Sequence, residues 1–426
     1  MRKLLIFLGA SLFFIFSSQG VTLGANFSCS INNYQPNWLN HSFFGIAANQ
    51  GATPAKFTQI AEALGQTRVG MVRESIKWSQ VEETRGNFSW QEVDTKFEAL
   101  ARESIRPLAI IVRTPAWASS RPNSPDADIY PPENLYTWKS FIRQLVRRYG
   151  KPGRNIIKDW EIWNEPDVAK FFKGTPDDYI KLLNAAYDVI KEEDPQARVW
   201  GPATFAIYPS QEKFIFTQKA VETGKMDVFS VHVYARTVSE IYNKTRSIRQ
   251  YLDQHGKSNL PLALTETNLS GPDISGQCPY LGSASDQTQP QTLTDIYLCN
   301  ASAGAKFVFW FKANDTPTNI CTNDDMNRNG VLRYDLSKKP SFNRLQNLIA
   351  QFVSLPSPSP SPPASIPGDI IDEGDTPTDQ VNIYDYNLLV ADFGKTGSPG
   401  FIPADIIKDG RVDIFDYNTV VGNFGQ

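Results

Sequence analysis

From Phe43 onward the chain alternates between short apolar runs and longer stretches whose apolar residues recur at helical spacing. Eight runs read as strands, at 43–48, 68–73, 106–112, 159–164, 198–202, 226–234, 261–266 and 307–312. Between them, Leu135, Trp138, Phe141, Ile142, Leu145, Val146 and Tyr149 form one helical stripe. Tyr179, Ile180, Leu183, Ala186, Tyr187 and Ile190 form another. Strands that alternate with helices build a parallel sheet, and eight such units are the number that closes a barrel. The predicted fold class is α/β, a (β/α)8 TIM barrel over residues 40–353.

The pattern changes on both sides of that region. Residues 354–367 are almost entirely Pro and Ser, which favours extended polyproline geometry and cannot bury a core, so they read as a semi-rigid linker. The tail, 368–426, carries a weak internal repeat. Val381-Asn382-Ile383-Tyr384-Asp385-Tyr386-Asn387 is echoed by Val412-Asp413-Ile414-Phe415-Asp416-Tyr417-Asn418, which implies a small α-helical module of two similar loop-and-helix units. At the other end, Met1-Arg2-Lys3, an apolar run from Leu4 to Phe16 and small residues up to Ala25 describe a secretory signal peptide over 1–25. The run is shorter than a spanning helix needs, so cleavage is favoured over an uncleaved anchor. The expected location is secreted, free or attached to a cell surface or scaffold.

Composition narrows the function classes. Net charge is −3, so no basic field is present to hold nucleic acid or an anionic membrane. Four cysteines, Cys29, Cys278, Cys299 and Cys321, permit up to two disulfides in an exported chain, and their wide spacing argues against a zinc site. Nine tryptophans suit a protein that stacks rings on sugars, although many must fill core.

The candidate chemistry centres on Trp160-Glu161-Ile162-Trp163-Asn164-Glu165-Pro166-Asp167, an apolar run that delivers an Asn-Glu pair to a strand end, where Pro166 stops it. Catalytic groups of a β/α barrel collect at that end. The octet resembles the Asn-Glu-Pro signature of the clan A retaining glycoside hydrolases. The resemblance implies that Glu165 is the acid/base and that Asn164 contacts a sugar hydroxyl. It implies a second glutamate on strand seven as nucleophile, and Glu266 closes Pro261-Leu262-Ala263-Leu264-Thr265-Glu266. Two-step retention needs carboxyls about 5–5.5 Å apart, with Glu165 protonated and Glu266 ionised at the start. No cofactor is expected for catalysis.

Supporting residues follow from the same likeness. Arg73, at the expected end of strand two, is placed to hold Glu266 ionised, a structural ion pair to Glu74 or Glu82 being the other use. His232 and Tyr234 share one face by alternation, Tyr234 as donor to Glu266 and His232 as a sugar or carboxylate contact, against a buried core pair. Trp310 is similar to the aromatic sugar platform of strand eight, with core filling as the competing use. Arg113-Thr114-Pro115-Ala116-Trp117-Ala118 resembles a cleft segment that presents Trp117 or Arg113. Together these lean toward glycoside hydrolase family 39 or a neighbour, without choosing a sugar.

In the tail, Asp405, Asp409, Asp413 and Asp416 stand at positions one, five, nine and twelve of a loop with Gly410 at six, and Arg411 offers a backbone carbonyl. This resembles a dockerin repeat, which implies Ca2+ and a cohesin-like partner. Ile407 departs from the expected oxygen ligand at position three, and the first copy carries an insertion and lacks the glycine. Asp325-Met326-Asn327-Arg328-Asn329-Gly330 also opens like a calcium loop, but Leu336 stands in the twelfth place, so it reads as plain loop. The leading reading is a secreted retaining β-glycosidase with a docking tail. A catalytically silent carbohydrate-binding barrel is the alternative, and the presence of both Glu165 and Glu266, which binding alone does not require, separates the two.

Overall fold

A computed structural model describes residues 39–48, 52–270, 286–316, 328–352, 389–390, 392–396, 404–406 and 411–422. The expected leader, the linker, Cys29, Cys278, Cys321, Asp409 and the first tail repeat at 381–387 lie outside them. The chain divides into two compact units, Met1–Val353 and Ser354–Gln426.

The first unit is a closed barrel of eight parallel strands in sequence order. They are β1 (Phe44–Ala47), β2 (Met71–Lys77), β3 (Arg106–Val112), β4 (Asp159–Ile162), β5 (Arg198–Thr204), β6 (Val228–Ala235), β7 (Leu262–Leu269) and β8 (Ala305–Phe311). The helices are α1 (Pro54–Gly65), the short α2 (Trp78–Val81), α3 (Gln91–Arg102), α4 (Leu135–Tyr149), α5 (Pro176–Glu193), α6 (Phe214–Thr223), α7 (Val238–Gln254), α8 (Gln289–Ser302) and α9 (Pro340–Phe352). Their starts follow local rules, as at α5, where Thr175 and Asp178 form a reciprocal capping box and Pro176 occupies the first turn.

Strand alternation separates two layers. Met71, Leu108, Trp200, Val228, Ala263, Phe307 and Phe309 form the inner cluster. Val72, Ala109, Trp160, Val199, Phe229, Leu264, Val308 and Trp310 belong to the larger layer packed with the helices. Gly45 pairs with Phe309 across β1 and β8, and a Cβ there would lie 2.5 Å from the Phe309 ring, so the inner layer closes only with glycine at this position. At the strand starts, buried Asp159 accepts from Arg106 Nε, from Arg198 Nε at 2.7 Å and from Trp200 Nε1 at 2.8 Å. These bonds compensate a carboxylate that burial alone would disfavour.

Two strands run further than their polarity suggests. β2 continues four residues past Arg73, because Glu74 is buried on an ion pair with Lys96 of α3 (3.1 Å). β7 continues past Glu266 to Leu269, because Thr267 Oγ1 donates to Val233 O (2.7 Å) and Asn268 Nδ2 to Phe311 O (2.5 Å). Neither Arg73 nor Glu266 therefore ends its strand. Cys299, in α8, is buried and disulfide-bonded.

In the second unit, Leu389, Ala404, Val412 and Val420 form a small core beside Ile406 and Tyr417, and α10 spans Ile414–Gly422. Buried Asp416 accepts from the amides of Ile406 (2.8 Å) and Asp413 (3.0 Å), which draws its carboxylate into the turn of the repeat. Among the described residues, no helix is long and apolar enough to cross a membrane.

Candidate active site

Strands β2, β6 and β7 and the turn after β4 bring Arg73, His232, Tyr234, Glu266, Asn164 and Glu165 together. Glu165, His232 and Glu266 each place one nitrogen or oxygen within 4.8 Å of the others. Glu165 is set by a bent backbone. Trp163 (φ 68°) and Glu165 (φ 43°) both occupy the left-handed region, and the amides of Trp163 and Glu165 are tied to Ile111 O (3.0 Å) and Ala203 O (3.1 Å). Such conformations are costly for side chains other than glycine and persist only where neighbours fix them.

Glu266 reaches the site through an extra residue in β7. Leu262 and Leu264 face the helices, so strict alternation would send Glu266 outward with them. However, β6 pairs Val231 with Leu264 and the very next residue, His232, with Glu266; on the other side Leu264 pairs with Val308 and Thr267 with Trp310. One residue is thus inserted around Thr265 relative to both neighbours, and that irregularity turns Glu266 inward.

Arg73 is the organising cation. Its Nε donates to Glu161 Oε2 at 2.5 Å, Nη1 to Glu266 Oε1 at 2.5 Å and Nη2 to Asn164 Oδ1 at 2.9 Å. Burial opposes its charge, but Glu161 and Glu266 outweigh it and raise its pKa above the usual value. On Glu266, burial pushes the carboxyl pKa up. The charges of His232 and Arg73, with hydrogen bonds from Tyr234 and Arg73, more than reverse this and hold it below the usual range. The Tyr234 hydroxyl donates to Glu266 Oε2 at 2.8 Å. His232 Nδ1 lies 2.6 Å from Glu165 Oε1 and 3.7 Å from Glu266 Oε2. Burial lowers its pKa, and Glu266 and Glu165 together drive it above the ordinary value. His232 and Tyr234 share the inner face of β6, as period two requires.

Two expected contacts are placed elsewhere. Trp310 is fully buried in the outer layer, where its Nε1 donates to Asn329 O at 2.7 Å. The platform assignment is corrected to core filling, because a one-residue step along a strand exchanges faces. The strand-eight ring beside the site is Phe311, edge-on to Tyr234 at 6.0 Å. Trp117 is half-buried, edge-on to Trp78 at 5.7 Å, with Nε1 donating to Glu82 O at 2.9 Å. Arg113 faces Asp128 at 3.4 Å. Neither takes part in the hydrogen bonds of the carboxylate cluster.

Glu161 and Asp167 were not expected to take part. Alternation in Asp159-Trp160-Glu161-Ile162 signals that two acids face the barrel interior while two apolar residues face the helices. Asp167, two residues past Glu165, accepts from the amides of Phe205 (3.1 and 3.0 Å) and Ala206 (2.6 Å), fastening the loop after β4 to the end of β5.

A closed parallel barrel with paired glutamates, one just after β4 and one within β7, defines a protein of the glycoside hydrolase class. Residues 56–272, half of the chain and inclusive of both glutamates, match glycosyl hydrolases family 39, and the chain belongs to that family. Over 160 residues it is 32% identical to a beta-xylosidase of Caldicellulosiruptor saccharolyticus, an alignment that covers 35% of this chain and 31% of that protein. The chain spans about a third of the length of the curated relatives it matches. In fold it is similar to a glucosidase from Croceicoccus marinus (TM-score 0.58, 18% identity, covering 73% of this chain and 68% of that one). It is likewise similar to a monomeric beta-xylosidase from Caulobacter crescentus CB15 (TM-score 0.55, 18% identity, covering 73% and 69%).

Proposed function

We propose that this chain is a retaining β-glycosidase that cleaves β-xylosides or closely related β-glycosides by double displacement. The observation that carries the reading is the asymmetry of the glutamate pair. Glu266 is bound by Arg73 and Tyr234 and held in its ionised form, whereas Glu165, within 4.8 Å, is bound by His232. A nearest-oxygen approach within 4.8 Å supports the roughly 5–5.5 Å spacing of a retaining pair. Xylose is the first sugar to test because the curated relatives are beta-xylosidases.

In the first step Glu266 Oε attacks the anomeric carbon, the glycosidic C–O bond breaks and Glu165 gives its proton to the departing oxygen. The glycosyl ester neutralises Glu266. Glu165, now ionised, takes a proton from water as that water attacks the same carbon, and Glu266 leaves as carboxylate. Asn164, fixed by Arg73 Nη2, is positioned to bind a sugar hydroxyl. No step needs a metal or cofactor.

Hydrolysis of aryl β-glycosides by wild type, Glu266→Ala and Glu165→Ala tests this. Turnover lost in Glu266→Ala, and restored in Glu165→Ala by azide with formation of a β-glycosyl azide, is the expected result. Full activity in Glu266→Ala refutes the assignment of the nucleophile.

The same reading includes export directed by residues 1–25 and a dockerin-like tail that engages a cohesin-like partner. Asp405, Asp409, the Arg411 carbonyl, Asp413 and Asp416 are the proposed calcium ligands, a set of hard oxygens suited to that ion. Calcium titration of the full chain, followed by the melting of the tail, tests it: an upward shift in wild type and none in Asp413→Ala is expected, and no shift in wild type refutes calcium binding.

A further inference from the structure

Phe205 follows the last residue of β5 at the open end of the barrel and is 41% exposed. A lone surface aromatic is ordinary. This one is tied to both glutamates. Its ring lies 6.4 Å from that of Tyr234, with the planes 29° apart, and the Tyr234 hydroxyl holds Glu266. Its amide is bound by Asp167, two residues from Glu165, and Ala206, next in the chain, is held by the same carboxylate at 2.6 Å. Asp167 is itself buried, so the anchor is shielded from water.

The backbone under Phe205 is thus fixed while its ring is left partly uncovered, the opposite of a residue placed to fill core. A flat apolar face, exposed and preorganised beside a cleft, suits the C–H face of a pyranose ring, which has little ordering left to lose when it stacks. We propose that Phe205 forms a carbohydrate subsite for the sugar unit adjoining the one that reacts at Glu266, so that the ligand class is a β-linked oligosaccharide rather than a single glycoside. This rests on the glycosidase reading above.

The test compares kcat/KM for a xylo-oligosaccharide with that for β-xylosyl fluoride, whose single sugar and small leaving group cannot reach a neighbouring subsite. In Phe205→Ala the ratio of the two is expected to fall about tenfold, with Phe205→Trp restoring it. An unchanged ratio, or equal loss on both substrates, overturns the proposal. If wild type turns over neither substrate, the glycosidase reading fails and the subsite is judged by calorimetry alone. Oligosaccharide binding that weakens in Phe205→Ala then upholds it; equal binding, or none in wild type, overturns it.

Discussion

Replacing Glu161 by Gln tests how the charge of Arg73 is divided. Glu161 is fully buried and holds Arg73 Nε at 2.5 Å, while the Nη1 of the same guanidinium holds Glu266 at 2.5 Å. The guanidinium keeps the two carboxylates ~6 Å apart, and like charges at that separation repel by about 3 kcal/mol at an effective dielectric constant of ~20. That is a ceiling of about two pH units on Glu266. Glu266 is itself buried, so the ceiling is reduced only by local relaxation, to about one unit. The direction is definite. The Glu161 charge opposes ionisation of Glu266, so its removal lowers the Glu266 pKa further, and the acidic limb of kcat/KM moves to lower pH. A less basic carboxylate attacks more slowly, and a shift of about one unit limits the fall of the plateau to at most about tenfold. The Gln side chain keeps an acceptor for Arg73, and the loss of stability is about 1–3 kcal/mol, read as a lower Tm. The assay is the pH profile of kcat/KM on an aryl β-xyloside at 25 °C, with circular dichroism to establish folding. An acidic limb that stays in place or moves upward refutes a shared guanidinium.

Tyr234→Phe removes a donor that helps to lower the Glu266 pKa, so its acidic limb moves to higher pH, opposite to Glu161→Gln. A hydrogen bond to a charged group is worth about 1.5–3 kcal/mol, which sets a ceiling of about one to two pH units on that shift, read from the pH profile of kcat/KM on the same substrate. Asp167→Ala leaves two loop amides without their acceptor and costs about 1–3 kcal/mol for each, measured by urea unfolding; kcat/KM falls with it as the Glu165 loop loosens. Trp310→Phe removes packing volume and the bond to Asn329 O, so Tm falls, whereas the KM for aryl xyloside moves by less than about twofold because the ring faces the helices. A Trp310→Phe variant with normal Tm and a large rise in KM contradicts the outward placement.

Much of this molecule was legible as pattern. The bounds of β3 coincide with the apolar run 106–112, and the other seven strands fall on or beside theirs. The run 160–163 announced a strand that stops at an Asn-Glu pair. The misread ends of β2 and β7 share one cause, since polar residues near strand ends look like loop. Glu74, Thr267 and Asn268 are strand residues whose partners, Lys96, Val233 O and Phe311 O, come from distant segments. Sequence polarity records whether a group needs a partner, and the fold supplies one.

The sequence by itself determined the number of strands, their order, and that Glu165 follows the fourth and Glu266 belongs to the seventh, because periodicity and turn chemistry are local. Only the tertiary structure decided which way the decisive side chains point. Period two assigns Glu266 to the outer layer with Leu262 and Leu264, and the residue added near Thr265 becomes visible only as a shift against both neighbouring strands. The same comparison sends Trp310 outward and leaves Phe311 by the cleft. The sharing of Arg73 among Glu161, Glu266 and Asn164 spans up to 193 positions of chain. Local pattern carries no information about contacts at that separation; barrel closure, which fixes the register of β2 through β7, creates them.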